Sequence, residues 1–313
     1  MSDQLGLLRE GFQRVWNYQR VLWFMFVISL VLGHFGASPA VHKVEGIDHS
    51  LQSRRIADVF DVSAFSELSS NPEVKLFEVA GTSISLSIVF FVGYLFLTGG
   101  ILEAYRSGRK LTTREFFEAA GSYFWRFIRL FLIMGIVLAP LWILFSSLSG
   151  KAGSLMANPI QEKSGFWLLL GAVVVCGLLM MCIRLWFDIA QVRSVVEEET
   201  RMLSNTGKAF KLTFGNFASL FWMYFRISFL GWLTFVLAFY VWTKMPPARF
   251  GWTFLMLELV ILFGFGIRLW QKACEMIWYQ RRFLQRVVAM PPPQPAPDPL
   301  LTIAPVPTPP TQV

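Results

Sequence analysis

Six long apolar runs, separated by polar segments, dominate the hydrophobic pattern of the chain. Each run is close to the roughly 20 residues that a helix needs to cross a bilayer. In lipid the backbone of each run must satisfy its own hydrogen bonds, which favours helices. We therefore predict an all-α integral membrane bundle of six transmembrane helices, with spans near 18–36, 79–102, 127–149, 166–189, 225–244 and 251–272.

The same pattern predicts that the chain has two regions, a membrane domain and a tail. Residues 1–286 form the six-span membrane domain, which includes a net acidic outside loop at 37–78. Residues 287–313, which end in PPPQPAPDPLLTIAPVPTPPTQV, are rich in proline and nearly uncharged. Such a segment buries no core and is predicted to be a disordered, partly polyproline II tail on the cytoplasmic side. A passive tail and a ligand for a proline-reading partner are both open interpretations.

Composition supports the membrane assignment. The chain is 55% hydrophobic and 15% charged, with a mean hydropathy of +0.52, whereas a typical soluble domain is about 25% charged. Its three cysteines lie in or beside apolar runs and form no CxxC pair, which argues against a disulfide framework or a zinc site. The spacing of His34, His42 and His49 matches no zinc pattern either. We expect no metal and no cofactor.

The distribution of positive charge predicts the orientation. The formal net charge is +8, and 20 of the 28 Lys and Arg residues lie in the N-terminal arm, the C-terminal part and the segments 103–129 and 184–226. Because positive residues stay on the cytoplasmic side, both termini are predicted inside. The positive residues flank apolar runs, so we attribute them to topology and not to nucleic-acid binding. A bacterial-type inner (cytoplasmic) membrane suits this pattern.

A cleaved signal peptide is the alternative for the first span. Arg14 and Arg20 precede an apolar run of about 15 residues, and 38–40 resembles a cleavage site. Cleavage would leave five spans. We favour six, because the repeat pattern described next includes the first span.

Three segments of the chain look alike. Each begins as a short amphipathic stretch with aromatic residues and continues into a span: LLREGFQRVWNYQRVLWFMFVISL, REFFEAAGSYFWRFIRLFLIMGIV and GKAFKLTFGNFASLFWMYFRISFL. Aromatic residues with Lys and Arg at such a junction are typical of a helix at the membrane surface. The sequence thus predicts three two-span units, each with a cytoplasmic interfacial helix. Ordinary edges of apolar helices would give a similar pattern.

The second span of each unit ends in a charged stretch. The tetrapeptide IRLW occurs at 183–186 and again at 267–270, and each copy closes an apolar run. Glu103, Asp188 and Lys272 then occupy comparable positions in the three units. We therefore expect Asp188 and Lys272 to lie at one level, near enough to pair.

Part of the chain, about 95–225, resembles uncharacterised bacterial multi-pass membrane proteins similar to the membrane domain of glycerophosphodiester phosphodiesterases and to YciC-like proteins. The pattern is of low specificity. The catalytic barrel of the phosphodiesterase is absent, so the resemblance implies a membrane fold and no hydrolase activity. The residues that carry it are Gly99, Gly100, Tyr105, Gly108, Phe116, Phe117 and Arg129, then Arg193 to Glu197 and the stretch that begins at Lys208.

Ionisable residues in or beside spans are the candidate functional residues, because burying them in a membrane is costly. Arg184 and Asp188 are four residues apart and can pair on one helix face. Across helices, Lys272 could pair with Asp188 and with Glu103. Such a group of charges could gate a pathway or bind an anionic head group; alternatively, the side chains snorkel and fix the helix ends. The candidates are Glu103, Arg184, Asp188, Arg226, Glu258, Arg268 and Lys272.

Two of these candidates differ from the rest. Arg226 is expected to lie level with Arg268 and to snorkel to the cytoplasmic surface. Glu258 lies about 10 Å into the sixth span, where the fifth span offers no partner. It is expected to be protonated or to face a polar cavity. Serine and threonine residues on the second and third spans could line one: Thr82, Ser83, Ser85, Ser87, Ser146 and Ser147.

The sequence carries no catalytic motif, no P-loop and no GxGxxG, so we predict that the protein is not an enzyme. The favoured function is a non-enzymatic scaffold, assembly factor or lipid-associated membrane protein, with the bilayer and a possible membrane protein as partners. The alternative is a transporter or channel for a small or lipid-like solute. A polar cavity at mid-depth around Glu258 would favour the alternative.

Overall fold

The computed structural model describes residues 2–45, 76–158, 160–244 and 250–284. Within these ranges the chain forms eight α-helices and one π-helical turn, and no β-strand. Most of the predicted outside loop and the predicted proline-rich tail lie beyond the described ranges. The helices are α1 (Ser2–Asn17), α2 (Gln19–Glu45), α3 (Leu76–Ser107), α4 (Thr113–Met156), α5 (Glu162–Val196), α6 (Met202–Gly215), α7 (Phe217–Lys244) and α8 (Phe250–Tyr279), followed by the turn Gln280–Leu284.

Six of these helices are long and apolar enough to cross a membrane: α2, α3, α4, α5, α7 and α8. They coincide with the six predicted spans, which confirms the prediction of an all-α bundle. The chain is a multi-pass membrane protein.

Several helices continue well beyond their apolar runs. The 44 residues of α4 extend about 66 Å, roughly twice the thickness of a hydrocarbon core of about 30 Å. In α5 the apolar run ends at Arg184, yet the helix continues to Val196, about 18 Å further. We call the part beyond the apolar runs the cap. It comprises residues 2–17, 103–129, 184–226 and 268–284.

The best-packed core of the described structure lies in the cap. All of the buried polar and charged residues in the described ranges except Thr98 are there. Buried apolar residues surround them, among them Tyr105, Phe127, Leu185 and Met276. By contrast, the spanning parts of α5 and α7 expose large apolar side chains, as expected of surfaces in contact with lipid.

Two of the three predicted interfacial helices are separate helices. α1 is followed by a break at Tyr18, and α6 by a break at Asn216. The prediction was wrong for the second unit, because α4 runs without interruption from Thr113. Its buried residues Ala120, Tyr123 and Phe127 are three or four apart and lead directly to Leu130, so one continuous face packs along its neighbour.

The start of α4 is fixed by a capping box. The Glu115 backbone N–H donates to the Thr112 hydroxyl over 3.3 Å, and the Thr112 backbone N–H donates to the Glu115 carboxylate over 2.8 Å. These two bonds satisfy backbone donors that the first turn leaves free. Gly108, with φ of 64°, provides the left-handed residue that the turn between α3 and α4 requires.

The two IRLW copies perform the same structural task. The indole N–H of Trp186 donates to the carbonyl of Thr206 on α6 over 2.8 Å. The indole N–H of Trp270 donates to the carbonyl of Leu8 on α1 over 2.9 Å. Each tryptophan thus fixes a short amphipathic helix of another unit against the end of a span. This equivalence supports the predicted relation between the second and third units.

Glycines allow close contacts between helices. A Cβ on Gly11 of α1 would clash with the Cys274 sulfur, and one on Gly100 of α3 would lie 2.8 Å from the Phe116 carbonyl oxygen of α4. The second contact involves backbone, which cannot move aside without shifting the helix. The α3–α4 pair therefore depends on a residue without a side chain at 100.

We predict that Gly100→Ala destabilises the protein although alanine is the better helix former. The added methyl forces α3 away from α4, which costs about 1–3 kcal/mol. Gly121→Ala is the matched control, since a Cβ at that position on α4 meets nothing within 4 Å. It should be neutral or gain up to about 1 kcal/mol. Thermal unfolding of the purified protein in detergent measures both, and equal melting temperatures would contradict the close contact.

Candidate functional site

The centre of the cap holds an ion pair between two spanning helices. The ammonium of Lys272 on α8 lies 3.2 Å from Oδ1 of Asp188 on α5 and donates to Oε1 of Gln191 over 2.7 Å. Lys272 is 3% exposed and Asp188 is 6% exposed. The two residues lie at one level and pair, as the sequence predicted. A pair buried to this degree is held by protein and not by water.

Polar side chains of α7 and α8 extend this pair. The guanidinium of Arg268 lies 4.0 Å from Oδ2 of Asp188 and donates to Gln271 over 3.0 Å. It also lies 3.4 Å from the hydroxyl of Tyr224 on α7. Gln271 in turn donates to the hydroxyl of Ser228 on α7 over 2.8 Å. The network therefore links α5, α7 and α8 where their apolar runs end.

Glu275 is the most buried acid in the described part of the cap. It lies one turn beyond Lys272 on α8, with no exposed surface. Neither of its carboxyl oxygens accepts a hydrogen bond from a described residue. A buried acid without direct partners is costly, so the positive charge of Lys272 close by on the same helix matters for its tolerance.

A second group of charges joins α5 and α8 to α6. Arg193 donates to Glu197 and lies 3.6 Å from Glu199, which also pairs with Lys208 of α6 at 3.0 Å. The Tyr279 hydroxyl of α8 donates to Glu197. The bond from Arg193, followed by the bond from Tyr279, lowers the pKa of Glu197 below its usual value. These contacts hold the 197–201 connection, which is itself part of the cap, against α6 and α8.

A third group attaches α1. Arg14 donates to the backbone carbonyl of Tyr105 over 2.6 Å and to Gln280 over 3.2 Å. Glu10 bonds Arg14 at 3.0 Å and also bonds Arg281. The first helix is thus connected to the ends of both α3 and α8.

Two predicted contacts were wrong. Arg184 does not pair with Asp188, because the carboxylate of Asp188 faces Lys272 and Arg268 on α8; in the described ranges Arg184 has no hydrogen bond or ion pair. Glu103 does not pair with Lys272 but with Arg106 on its own helix, at 2.8 Å. In both cases the side-chain direction decides between partners that the sequence left equivalent.

The remaining two candidates lie apart from the network. Arg226 is placed over the ring of Trp222 on its own helix, 5.4 Å from the ring centroid. Glu258 is half-buried and forms no hydrogen bond or ion pair with any residue that the structure describes. The site therefore unites Asp188, Arg268 and Lys272. Four candidates lie outside it: Glu103, Arg184, Arg226 and Glu258.

Three of the serines predicted to line a polar cavity, all on α3, donate their hydroxyls to backbone carbonyls. Ser85 and Ser87 are exposed and donate to carbonyls one turn back on α3, over 2.9 and 2.7 Å. Ser83 donates across to the carbonyl of Gly36 on α2 over 2.9 Å. Because these hydroxyls donate to backbone carbonyls, their hydrogen bonds are made locally, on the helix surface or at a helix–helix contact.

The sequence analysis did not identify several members of the network. Gln191, Tyr224 and Gln271 are uncharged, so a search for ionisable residues in spans passes over them. The spacing of polar residues in α8 could have identified part of the network. Polar side chains recur there every three or four residues, at Arg268, Gln271 or Lys272, Glu275 and Tyr279. That spacing puts one polar stripe on a helix that is otherwise apolar.

The hydrogen bonds and ion pairs of the network connect helices to one another. Its central charges bond to one another and to neighbouring amides and hydroxyls, and they connect helices from separate parts of the chain. In the described ranges no group of three or more His, Cys, Asp or Glu residues could hold a metal ion. Compared with known proteins, the chain matches no family model, no curated protein and no solved structure.

We predict that Lys272→Met strongly destabilises the protein. It removes the closer ion-pair partner of the buried Asp188 carboxylate and leaves Arg268 at 4.0 Å; breaking a buried ion pair costs about 3–5 kcal/mol. The double variant Asp188→Leu with Lys272→Met should recover only part of that loss, because it removes the unpaired Asp188 carboxylate but leaves the buried Glu275 without the nearby positive charge. The melting temperature in detergent reports both effects. Lys211→Met is the control, since Lys211 is exposed on α6; an equal effect of Lys272→Met and Lys211→Met would contradict the role of the pair.

Proposed function

We propose that this protein is a non-enzymatic structural component of a bacterial-type inner membrane, of the scaffold, assembly or lipid-associated type. The observation that carries the proposal is the use of the buried charges. Asp188, Lys272 and Arg268 connect α5, α7 and α8. Polar groups committed to one another in this way hold an assembly together and leave little for a reacting substrate.

The cap also supports a structural role. It adds a packed helical layer beyond the membrane, with two helices, α1 and α6, dedicated to it. Such a layer presents a rigid surface to other proteins. A membrane-protein partner is therefore part of the proposal, and a proline-reading partner for 287–313 remains a prediction from composition.

The proposed orientation places the cap in the cytoplasm, with both termini on that side. The segments that form the cap hold most of the Lys and Arg residues, and positive residues near spans are retained on the cytoplasmic side. In this orientation the α4–α5 connection, near Lys151, faces outward.

A transporter or channel is the second candidate, and one observation favours it. Glu258 is an ionisable residue inside the apolar run of α8, and such residues often belong to ion or solute pathways. Against this, the described neighbours of Glu258 provide no hydrogen bond, and the serines of α3 bond to backbone carbonyls.

Cysteine labelling tests the orientation. With a membrane-impermeant maleimide, Lys211→Cys on the cap should react only after the cytoplasmic face is exposed, and Lys151→Cys should react in right-side-out membranes. Both native lysines are exposed. The unmodified chain sets the background, since Cys176 and Cys274 are buried and Cys182 is half-buried. The reverse labelling pattern would contradict the proposal.

Reconstitution into liposomes separates the two candidate functions. We expect the purified chain to add no proton or cation flux over protein-free vesicles, and Glu258→Leu to keep or raise the melting temperature because it removes an unpaired carboxyl from the span. Glu103→Leu is the matched control and should lower the melting temperature, since it breaks the pair with Arg106. A flux that the protein supports and Glu258→Leu abolishes would favour the transporter.

A further inference from the structure

A cleft between α2, the end of α3 and the start of α4 combines cationic and apolar walls. Its outer part has a volume of about 310 Å³ and is bordered by Arg20 and Lys110, with Phe116 and Phe117 beneath them. Asn17, Thr112 and Thr113 add polar groups at the same level. This part lies where the apolar run of α2 begins, at the boundary between cap and membrane.

The cleft continues towards the membrane interior. A second, almost wholly apolar cavity of about 250 Å³ shares Phe24 and Phe117 with the first, and its walls include Ile28, Leu32 and Gly93. From Arg20 to Leu32 the helix rises about 18 Å, comparable with one leaflet of a hydrocarbon core about 30 Å thick. The two cavities therefore adjoin each other, and we call them together the groove, with a charged upper part and an apolar lower part.

In the part of the chain that the structure describes, no residue neutralises the positive charges of the groove. Arg20 and Lys110 are exposed and form no hydrogen bond or ion pair with any residue in the described ranges. The nearest acid of this segment, Glu115, is occupied by Arg109 at 2.8 Å and by the Thr112 backbone. The upper part of the groove thus presents two cations, without a partner among the described residues, at the depth of lipid head groups.

We propose that this groove is a binding site for an anionic phospholipid, with the phosphate head group between Arg20 and Lys110 and an acyl chain along Phe24, Phe117 and Gly93. The charge complementarity favours an anionic head group, and the continuous apolar wall below it favours a lipid over a free phosphate. The site is separate from the ion network. The bound lipid would be the ligand in the lipid-associated role of the proposed function. The inference rests on the proposed function only through this role.

Native mass spectrometry of the full chain in mild detergent tests the head-group part. Phosphatidylglycerol should be retained more than phosphatidylcholine with the same acyl chains. Arg20→Gln combined with Lys110→Gln should weaken phosphatidylglycerol binding roughly ten- to thirty-fold. Arg9→Gln combined with Lys211→Gln removes the same charges from exposed positions elsewhere in the cap and should leave the affinity nearly unchanged.

A second variant tests the acyl-chain part without altering charge. A Cβ at Gly93 meets nothing within 4 Å, so Gly93→Leu can fill the lower groove and should reduce lipid retention several-fold at an unchanged melting temperature. Gly135→Leu on the exposed surface of α4 is the matched control, since that position is also open. Because this variant keeps Arg20 and Lys110, the test holds even if their double variant does not fold.

Three results would overturn the proposal. They are equal retention of the two lipids, an equal loss of binding in the control charge variant, and binding of glycerol phosphate as tight as that of the lipid and insensitive to Gly93→Leu. None of these results would alter the labelling pattern or the flux measured for the proposed function, so the failure of one proposal is distinguishable from the failure of the other.

Discussion

The ion pair between Asp188 and Lys272 is the interaction around which the cap is arranged. Each charge alone would be prohibitively costly at 6% and 3% exposure, so α5 and α8 are constrained to a relative height and rotation at which the two meet. That constraint also places Arg268 beside Tyr224 of α7 and fixes the third helix. The apolar surfaces of the cap can then pack in a single arrangement.

The surrounding helices are attached to this centre by specific hydrogen bonds. Trp186 and Trp270 donate to backbone carbonyls of α6 and α1, and Arg14 donates to the carbonyl of Tyr105. Membrane helices gain little from hydrophobic association within lipid. In a layer beyond the membrane, by contrast, both the hydrophobic effect and polar bonds contribute, which explains why burial is concentrated there.

The groove beside α2 follows from the same arrangement. The turn from α3 to α4 brings Lys110 opposite Arg20, while the capping box and Arg109 engage Glu115. Gly93 and Gly100 lie two turns apart on the same face of α3: at Gly100 this face contacts α4 closely, whereas at Gly93 it is open and lines the cavity beside α2. The close contact and the open groove thus follow one another along a single face of α3.

The amino-acid sequence was enough to predict the six spans, the all-α class and the level of Asp188 and Lys272, because these depend on the length of apolar runs and on the repeat spacing. It did not determine the partners. Arg184 could pair with Asp188 along one helix face, and Lys272 could pair with it from another helix. Glu103 occupies the position equivalent to Asp188 in the repeat. Only the rotation of each helix about its axis, set by packing, turned Asp188 towards α8 and Glu103 towards Arg106. The continuity of α4 was likewise decided by packing, since an amphipathic segment has the same pattern whether it lies on a membrane surface or against a neighbouring helix.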